Sequence, residues 1–108
     1  MKIAEVRRFA LSLPGVTEAP HFDKSSFRVR GKIFATVPPG GSHLHVFVDE
    51  VQRERMTSVA PEAYEKLWWG EKVVGLRVVL SLAKSQDVKE LLQSAWQLRA
   101  PKSVLRPR

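Results

Sequence analysis

The stretch of sequence that decides the fold is FRVRGKIFATVPPGGSHLHVFV, residues 27–48. Apolar residues alternate with polar ones on both sides of an Arg-Gly-Lys segment, and this pattern predicts a β-hairpin. With a three-residue loop at 30–32, five apolar side chains share one face: Phe27, Val29, Ile33, Ala35 and Val37. A two-residue loop would instead separate Ile33 from Phe27. After a Pro-Pro-Gly-Gly-Ser turn, residues 43–48 alternate again and predict another strand.

Helical periodicity marks both ends of the chain. Pro14-Gly15 ends the N-terminal helix, whose apolar stripe consists of Ile3, Val6, Ala10 and Leu13. Ser85 is the predicted N-cap of a C-terminal helix, whose core stripe consists of Val88, Leu91, Leu92, Ala95 and Trp96. Because hairpin connections imply antiparallel pairing, the predicted fold class is α+β, an antiparallel sheet with the N- and C-terminal helices packed on one face.

The middle of the chain predicts shorter elements. Asp49 is a suitable N-cap for a helix over about residues 50–57. Pro61 is expected to begin another short helix, which carries Tyr64 and ends at Trp68-Trp69-Gly70. Residues 76–82 alternate and predict a strand. We therefore expect one domain over residues 1–100, followed by a basic tail over residues 101–108 with little structure.

Composition limits the class of partner. The chain has 108 residues, 44% of them hydrophobic, which is enough for one modest core. It has no cysteine, its N-terminus is charged, and no apolar run is long enough to span a membrane. These features predict a soluble, cytoplasmic protein. The net charge of +7 favours polyanionic partners such as DNA, RNA or an anionic surface, although basic charge also serves solubility alone.

Two sets of residues are candidates for binding. The predicted sheet face away from the helices collects Arg28, Phe34, Thr36, His43, His45, Phe47, Arg77 and Val79. Aromatic rings and cations on an open sheet suit single-stranded nucleic acid, unless another element covers the face. Positive charges also gather near strand ends, where hairpin tips contact phosphates or simply discourage edge aggregation: Arg28, Arg30, Lys32, Lys72 and Arg77.

Adjacent aromatics at Trp68 and Trp69 form a third candidate feature. Neighbouring side chains on one element cannot both face the same core, so we expect one to pack and the other to be partly exposed. The exposed ring would then be a handle for stacking or for a partner. The alternative is that the pair forms a hydrophobic lid over the core.

The sequence carries no pattern that requires an enzyme or a cofactor. His43 and His45 share a strand face, and His21 precedes Asp23, but this spacing supplies no convincing metal site. No nucleophile-elbow motif is present, and Gly40-Gly41 lacks the lysine of a phosphate-binding loop. We therefore expect a non-enzymatic protein with no metal and no cofactor.

Three segments in order resemble the small bacterial MmcQ/YjbR family. They are residues 13–18 (LPGVTE), residues 26–35 (SFRVRGKIFA) and residues 69–77 (WGEKVVGLR), followed by the closing apolar helix. The resemblance covers roughly residues 1–100. It implies a CyaY-like topology with hairpins described as a double wing, and the label of a DNA-binding protein. Residues 64–68 depart from the His-Leu-Asn-Lys-type segment of many members, so only the hairpin and Trp-Gly-x-Lys regions are carried over.

Together these observations predict a nucleic-acid-binding domain, for DNA rather than RNA, that is a monomer or a weak dimer. Phosphates would be contacted by Arg28, Arg30, Lys32, Lys72 and Arg77. Trp69 or Phe34 would supply stacking or wedge contacts. The alternative is a small-ligand or protein-interaction module that uses the sheet face around His43, His45 and Phe47.

Overall fold

The computed structural model describes residues 1–105. Four helices lie in that range: α1 (Ile3–Ser12), α2 (Glu50–Val59), α3 (Ser85–Arg99) and α4 (Lys102–Leu105). Six strands accompany them: β1 (Val16–His21), β2 (Lys24–Val29), β3 (Lys32–Val37), β4 (His43–Val46), β5 (Tyr64–Trp69) and β6 (Lys72–Val79). All six form one antiparallel sheet in the order β1-β2-β3-β4-β6-β5, which confirms the predicted α+β class. None of the helices between residues 1 and 105 has the length and apolar character that crossing a membrane needs.

The helices share one face of the sheet, as predicted. Helix α1 lies against β1 and α3, α3 crosses β3 and β4, and α2 packs on β5 and β6. Gln52 of α2 and Ser94 of α3 are joined by a hydrogen bond, so these two helices are neighbours in the layer. The core between helices and sheet contains the predicted stripes, with Val6 and Ala10 from α1 and Val88, Leu91, Leu92, Ala95 and Trp96 from α3 all buried.

The β2–β3 hairpin has a two-residue turn, Arg30-Gly31, because Val29 pairs with Lys32. Its ladder then shifts, since Arg28 pairs with Ile33 whereas Phe27 pairs with Ala35. Phe34 is therefore the extra residue of a β-bulge. The bulge restores Ala35 to the core face opposite Phe27, so neither loop length considered from the sequence describes the hairpin by itself.

The predicted helix after Pro61 is wrong, because residues 64–69 form the edge strand β5. In this strand the Lys66 ammonium lies 2.8 Å from the Glu54 carboxylate of α2. Tyr, Leu and two Trp within six residues are typical of a strand. Pairing with β6 outweighs the proline signal.

Other boundaries differ from the sequence prediction in smaller ways. Strand β1 was not predicted, because Pro20 and its polar neighbours weaken the strand pattern, yet proline is tolerated on an edge strand such as this. Helix α3 has Lys84 at its N-cap, and Ser85 is its first residue. The tail is structured over Lys102–Leu105, where Val104 is buried. The rest of the predicted tail, residues 106–108, lies outside the described residues.

Candidate nucleic-acid interface

The first hairpin places two cations at its tip. Arg30 and Gly31 have φ angles of 51° and 81°, and a two-residue turn of type I′ needs a positive φ at both positions. Glycine adopts this conformation without strain, whereas Arg30 does so at a small energetic cost. Arg30 and Lys32 are both exposed. The turn therefore presents them to solvent on a short, well-defined loop.

The C-terminal end of the chain adds two more cations to this tip. Arg99, in the last turn of α3, donates from Nε to the Ile33 carbonyl oxygen at 3.4 Å. Lys102 begins α4, in which the buried Val104 lies beside Gly15. Sequence reasoning missed Lys102 because it treated the tail as having little structure, and the signal that could have revealed it is the apolar pair Val104-Leu105 within an otherwise basic segment. It missed Arg99 because the bond to Ile33 depends on how α3 crosses the sheet.

The second hairpin, β5–β6, joins tryptophan and lysine at its tip. Trp69 pairs with Lys72 across the turn Gly70-Glu71, and Gly70 has a φ of 62°. Trp68 is 59% exposed and Trp69 is 80% exposed. The expectation that one of the two would pack inside is therefore wrong, because both rings at the end of this edge strand are largely exposed.

Both hairpin tips lie at the same end of the sheet. Strands β2, β4 and β5 run in one direction and β3 and β6 in the other, so the turns after β2 and β5 project together. Strand β4 ends at Val46, opposite Ala35 and Leu76, whereas β3 and β6 extend further to Lys32 and Lys72. The centres of the two hairpins are three strand spacings apart, roughly 14 Å along the sheet. The two hairpin turns, called prongs below, thus project at one end of the molecule, one on each side of the chain that leaves β4.

Five cations surround this end without ionic partners. Within residues 1–105, no ion pair involves Arg30, Lys32, Lys72, Arg99 or Lys102. Some cations elsewhere are paired: the Arg7 guanidinium lies 2.9 Å from the Glu18 carboxylate and holds the pKa of Glu18 below its usual value. Two acidic residues also lie toward this end: Glu71 in the second turn and Asp49 at the start of α2.

The remaining predicted site residues lie elsewhere. Arg28 lies along the open sheet face, where its guanidinium donates to the Ser26 hydroxyl at 3.0 Å and to the Pro20 carbonyl. Arg77 donates to the Glu65 carboxylate at 2.8 Å, so its charge is largely neutralised. Phe34, the bulge residue, is fully buried. The hairpin-end surface, defined as Arg30, Lys32, Trp68, Trp69, Lys72, Arg99 and Lys102, thus unites four of the seven predicted residues.

The open sheet face carries a transverse row of polar residues. Strand register aligns them in the order Ser26, Thr36, His45, Arg77 and Glu65. Ser26 and Thr36 are buried, and Phe47 is half-buried, so the face is more closed than the sequence pattern suggested. Burial, followed by the charges of Arg77, Lys24 and His43, lowers the pKa of His45. Its Nε2 is buried and has no hydrogen-bond partner within residues 1–105.

No group of three or more His, Cys, Asp or Glu side chains within residues 1–105 is arranged to hold a metal ion. The second buried side-chain atom without a partner in that range, the Tyr64 hydroxyl, lies on the helix side of the sheet, where burial raises its pKa to about 12. The features that the hairpin end offers to a partner are cations and two exposed indole rings.

The sheet order and the helix layer define a small α+β protein with two projecting hairpins. The chain belongs to the YjbR family, whose sequence model matches residues 11–98. The crystal structure of Deinococcus radiodurans protein DR2400, with its DUF419 domain, has a similar fold: the TM-score is 0.79, the identity is 19%, and the match covers 90% of this chain and 77% of that one. No protein of curated function matches the chain. These findings confirm the predicted family and fold.

Proposed function

We propose that this protein binds nucleic acid, DNA in the first instance, through the hairpin-end surface, and that it acts by binding rather than by catalysis. The observation that carries the proposal is the gathering of Arg30, Lys32, Lys72, Arg99 and Lys102 at one end, none of them in an ion pair within residues 1–105. Cations that are free of carboxylates can replace the counterions of a phosphate backbone, and this replacement drives binding.

The geometry supports contact with a backbone that runs across both prongs. The first prong, the end of α3 and the start of α4 supply four of the cations, and Lys72 supplies one on the second prong. Arg77 is left out because Glu65 holds it. Arg28 is left out because its guanidinium is bonded to Ser26 and Pro20 on the sheet face.

The test is binding to a fluorescent DNA duplex and to its single strands across a salt series. Arg30→Ala combined with Lys32→Ala should weaken binding and reduce the slope of log K against log salt by about two, since each phosphate contact contributes about 0.9. The matched control is Lys2→Ala with Lys84→Ala, which removes the same charge at the helix N-termini of α1 and α3, at the opposite end of the sheet. Equal losses in both double variants would show a nonspecific charge effect and defeat the proposal.

A second candidate function uses the open sheet face around His43, His45 and Phe47 for a small ligand or a protein segment. It is favoured by the buried His45 Nε2, which has no partner within the described residues and could accept or donate a hydrogen bond to a ligand. Nuclear magnetic resonance titration with DNA distinguishes the two. Shifts confined to residues 43–47 would favour this face, and shifts at residues 30–32 and 69–72 would favour the hairpin-end surface.

A further inference from the structure

The protein exposes two adjacent tryptophans at a place where the fold does not need them. Trp68 and Trp69 end the edge strand β5 and are 59% and 80% exposed. The third tryptophan is different: Trp96 is 6% exposed, and its Nε1 donates to the Pro14 carbonyl oxygen at 2.9 Å. Large aromatic side chains contribute to stability mainly through the area they bury, so two that remain in solvent point to a binding role.

The position of the pair limits what it can bind. Trp69 lies directly across from Lys72, at the same end of the sheet as the cations of the first prong. Phe22 is also exposed, at 91%, but it lies in the β1–β2 turn at the opposite end, beside the Asp23–Lys24 ion pair. Only at the hairpin end do exposed indoles and cations without carboxylate partners occur together within residues 1–105.

Indole rings next to phosphate-binding cations suit unpaired bases. In a duplex each base is covered above and below by its neighbours, so a ring on the protein surface finds no free base face. In a single strand the bases can be splayed out and stacked on aromatic side chains while cations follow the backbone. The roughly 14 Å between the prongs leaves room for a strand to reach from one to the other.

We propose that the ligand of the hairpin-end surface is single-stranded nucleic acid, or a duplex with an unpaired segment, whose bases stack on Trp68 and Trp69. This inference rests on the proposed function, because it assumes that the same end binds phosphates. It assigns separate tasks to the two prongs. Arg30, Lys32, Arg99 and Lys102 hold the backbone, and the tryptophans select unpaired bases.

Intrinsic fluorescence tests the stacking directly. A mixed-sequence DNA strand of about 12 nucleotides, alone and annealed to its complement, is titrated into the protein at fixed salt. The single strand should quench the exposed indoles, whereas Trp96 is shielded and gives a constant background. The double variant Trp68→Phe with Trp69→Phe retains only Trp96 as an indole, so it should bind without quenching. Binding of that variant is followed by polarisation of a labelled strand.

Affinity and salt dependence separate stacking from charge. Trp68→Ala with Trp69→Ala should weaken single-strand binding by roughly 5- to 150-fold for each base that loses its stacking partner, with the salt slope unchanged. Duplex affinity should hardly change. Arg30→Ala with Lys32→Ala should lower both affinities and the slope. Circular dichroism checks that the alanine variant is folded, as its exposed positions lead us to expect.

The outcomes are distinguishable. If no DNA or RNA strand binds in any form, the proposed function fails and the inference fails with it. If duplex and single strand bind equally and the tryptophan variants change neither, the inference is overturned while the proposed function stands. If vesicles of phosphatidylserine and phosphatidylcholine shift the Trp68 and Trp69 emission and single strands do not, the pair is a membrane-interface anchor and the inference is overturned.

Discussion

The first hairpin, β2–β3, lies inside the sheet between β1 and β4, whereas the second, β5–β6, forms the outer edge on one side. Phe27, Val29 and Phe34 of the first hairpin are fully buried. At the end of the second, Trp68 and Trp69 are exposed. The two hairpins reach the same end of the molecule, yet the apolar residues near the first tip are buried in the core, whereas the tryptophans at the second tip are exposed to solvent.

The difference shows that a hairpin tip can be fixed in two ways. Arg30 and Lys32 are held in place by the core, because the strands that carry them are buried and because Arg99 of α3 donates a hydrogen bond to the Ile33 carbonyl oxygen. Lys72 and Trp69 are fixed chiefly by pairing with each other across the turn, on an edge with no strand beyond it within residues 1–105. We expect substitutions of the buried residues in the first hairpin to affect stability, and substitutions of the exposed residues at either tip to affect binding.

The largest expected effect contrasts Phe34→Ala with Trp69→Ala. Phe34 fills the core at the bulge, so its truncation should lower the free energy of unfolding by about 3–5 kcal/mol. Trp69 is 80% exposed, and its truncation should change that free energy by less than about 0.5 kcal/mol. Urea unfolding followed by circular dichroism gives both values. Similar losses in the two variants would remove the distinction between the hairpins.

The contrast between Phe34 and Trp69 also shows how far the sequence could be interpreted. Alternation correctly predicted an antiparallel sheet, and the stripes in α1 and α3 were both assigned to the core. The prediction from alternation was wrong at Phe34, because one extra residue in β3 moves the Phe34 ring from the open face into the core. Periodicity within one strand cannot reveal a bulge, since the bulge is defined by how β3 pairs with β2.

The candidate site could likewise be predicted only in part from the sequence. Charges near turns indicated Arg30, Lys32 and Lys72 correctly as exposed tip residues. That both tips lie at one end follows only from the position of β5, which local signals assigned to a helix. Arg99 joins the tip through a bond to Ile33, a contact that depends on how α3 crosses the sheet. The position of β5 and the Arg99–Ile33 bond both depend on contacts between residues far apart in the sequence, which local sequence patterns do not contain.

A smaller effect on the free energy of unfolding is expected within the second hairpin, at Gly75 of β6. A Cβ added to Gly75 would overlap the Val46 carbonyl oxygen, a backbone atom that cannot move aside cheaply. Gly75→Ala should therefore separate β4 from β6 and lower the free energy of unfolding by about 1–3 kcal/mol. Hydrogen exchange should show faster opening of β5 and β6 than of β2 and β3.

The matched control for this substitution is Gly31→Ala at the tip of the first hairpin. A Cβ there would meet no heavy atom within 4 Å, so only the positive φ of 81° opposes it. Its cost should be about 1 kcal/mol, without a selective effect on exchange in β5 and β6. If Gly31→Ala were the more destabilising of the two, turn conformation rather than strand contact would govern hairpin stability.

The smallest expected effect concerns Glu71, the exposed acid in the turn of the second prong. If this prong contacts nucleic acid, the carboxylate repels phosphate, and Glu71→Gln should tighten binding by roughly two- to fivefold at low salt. Stability should not change, because within residues 1–105 Glu71 forms no ion pair. Polarisation measurements at two salt concentrations would detect the change, which should shrink as salt rises.

Glu62→Gln supplies the comparison that makes the Glu71 result informative. Glu62 is equally exposed and carries the same charge, but it precedes β5 and so lies at the opposite end of the sheet from the prongs. Both substitutions raise the net charge by one, so any general attraction to the polyanion increases equally. A gain for Glu71→Gln alone would place the ligand at the second prong. Equal gains would mean that the affinity for DNA depends only on the total charge of the protein. The two hairpins would then differ in stability but not in function.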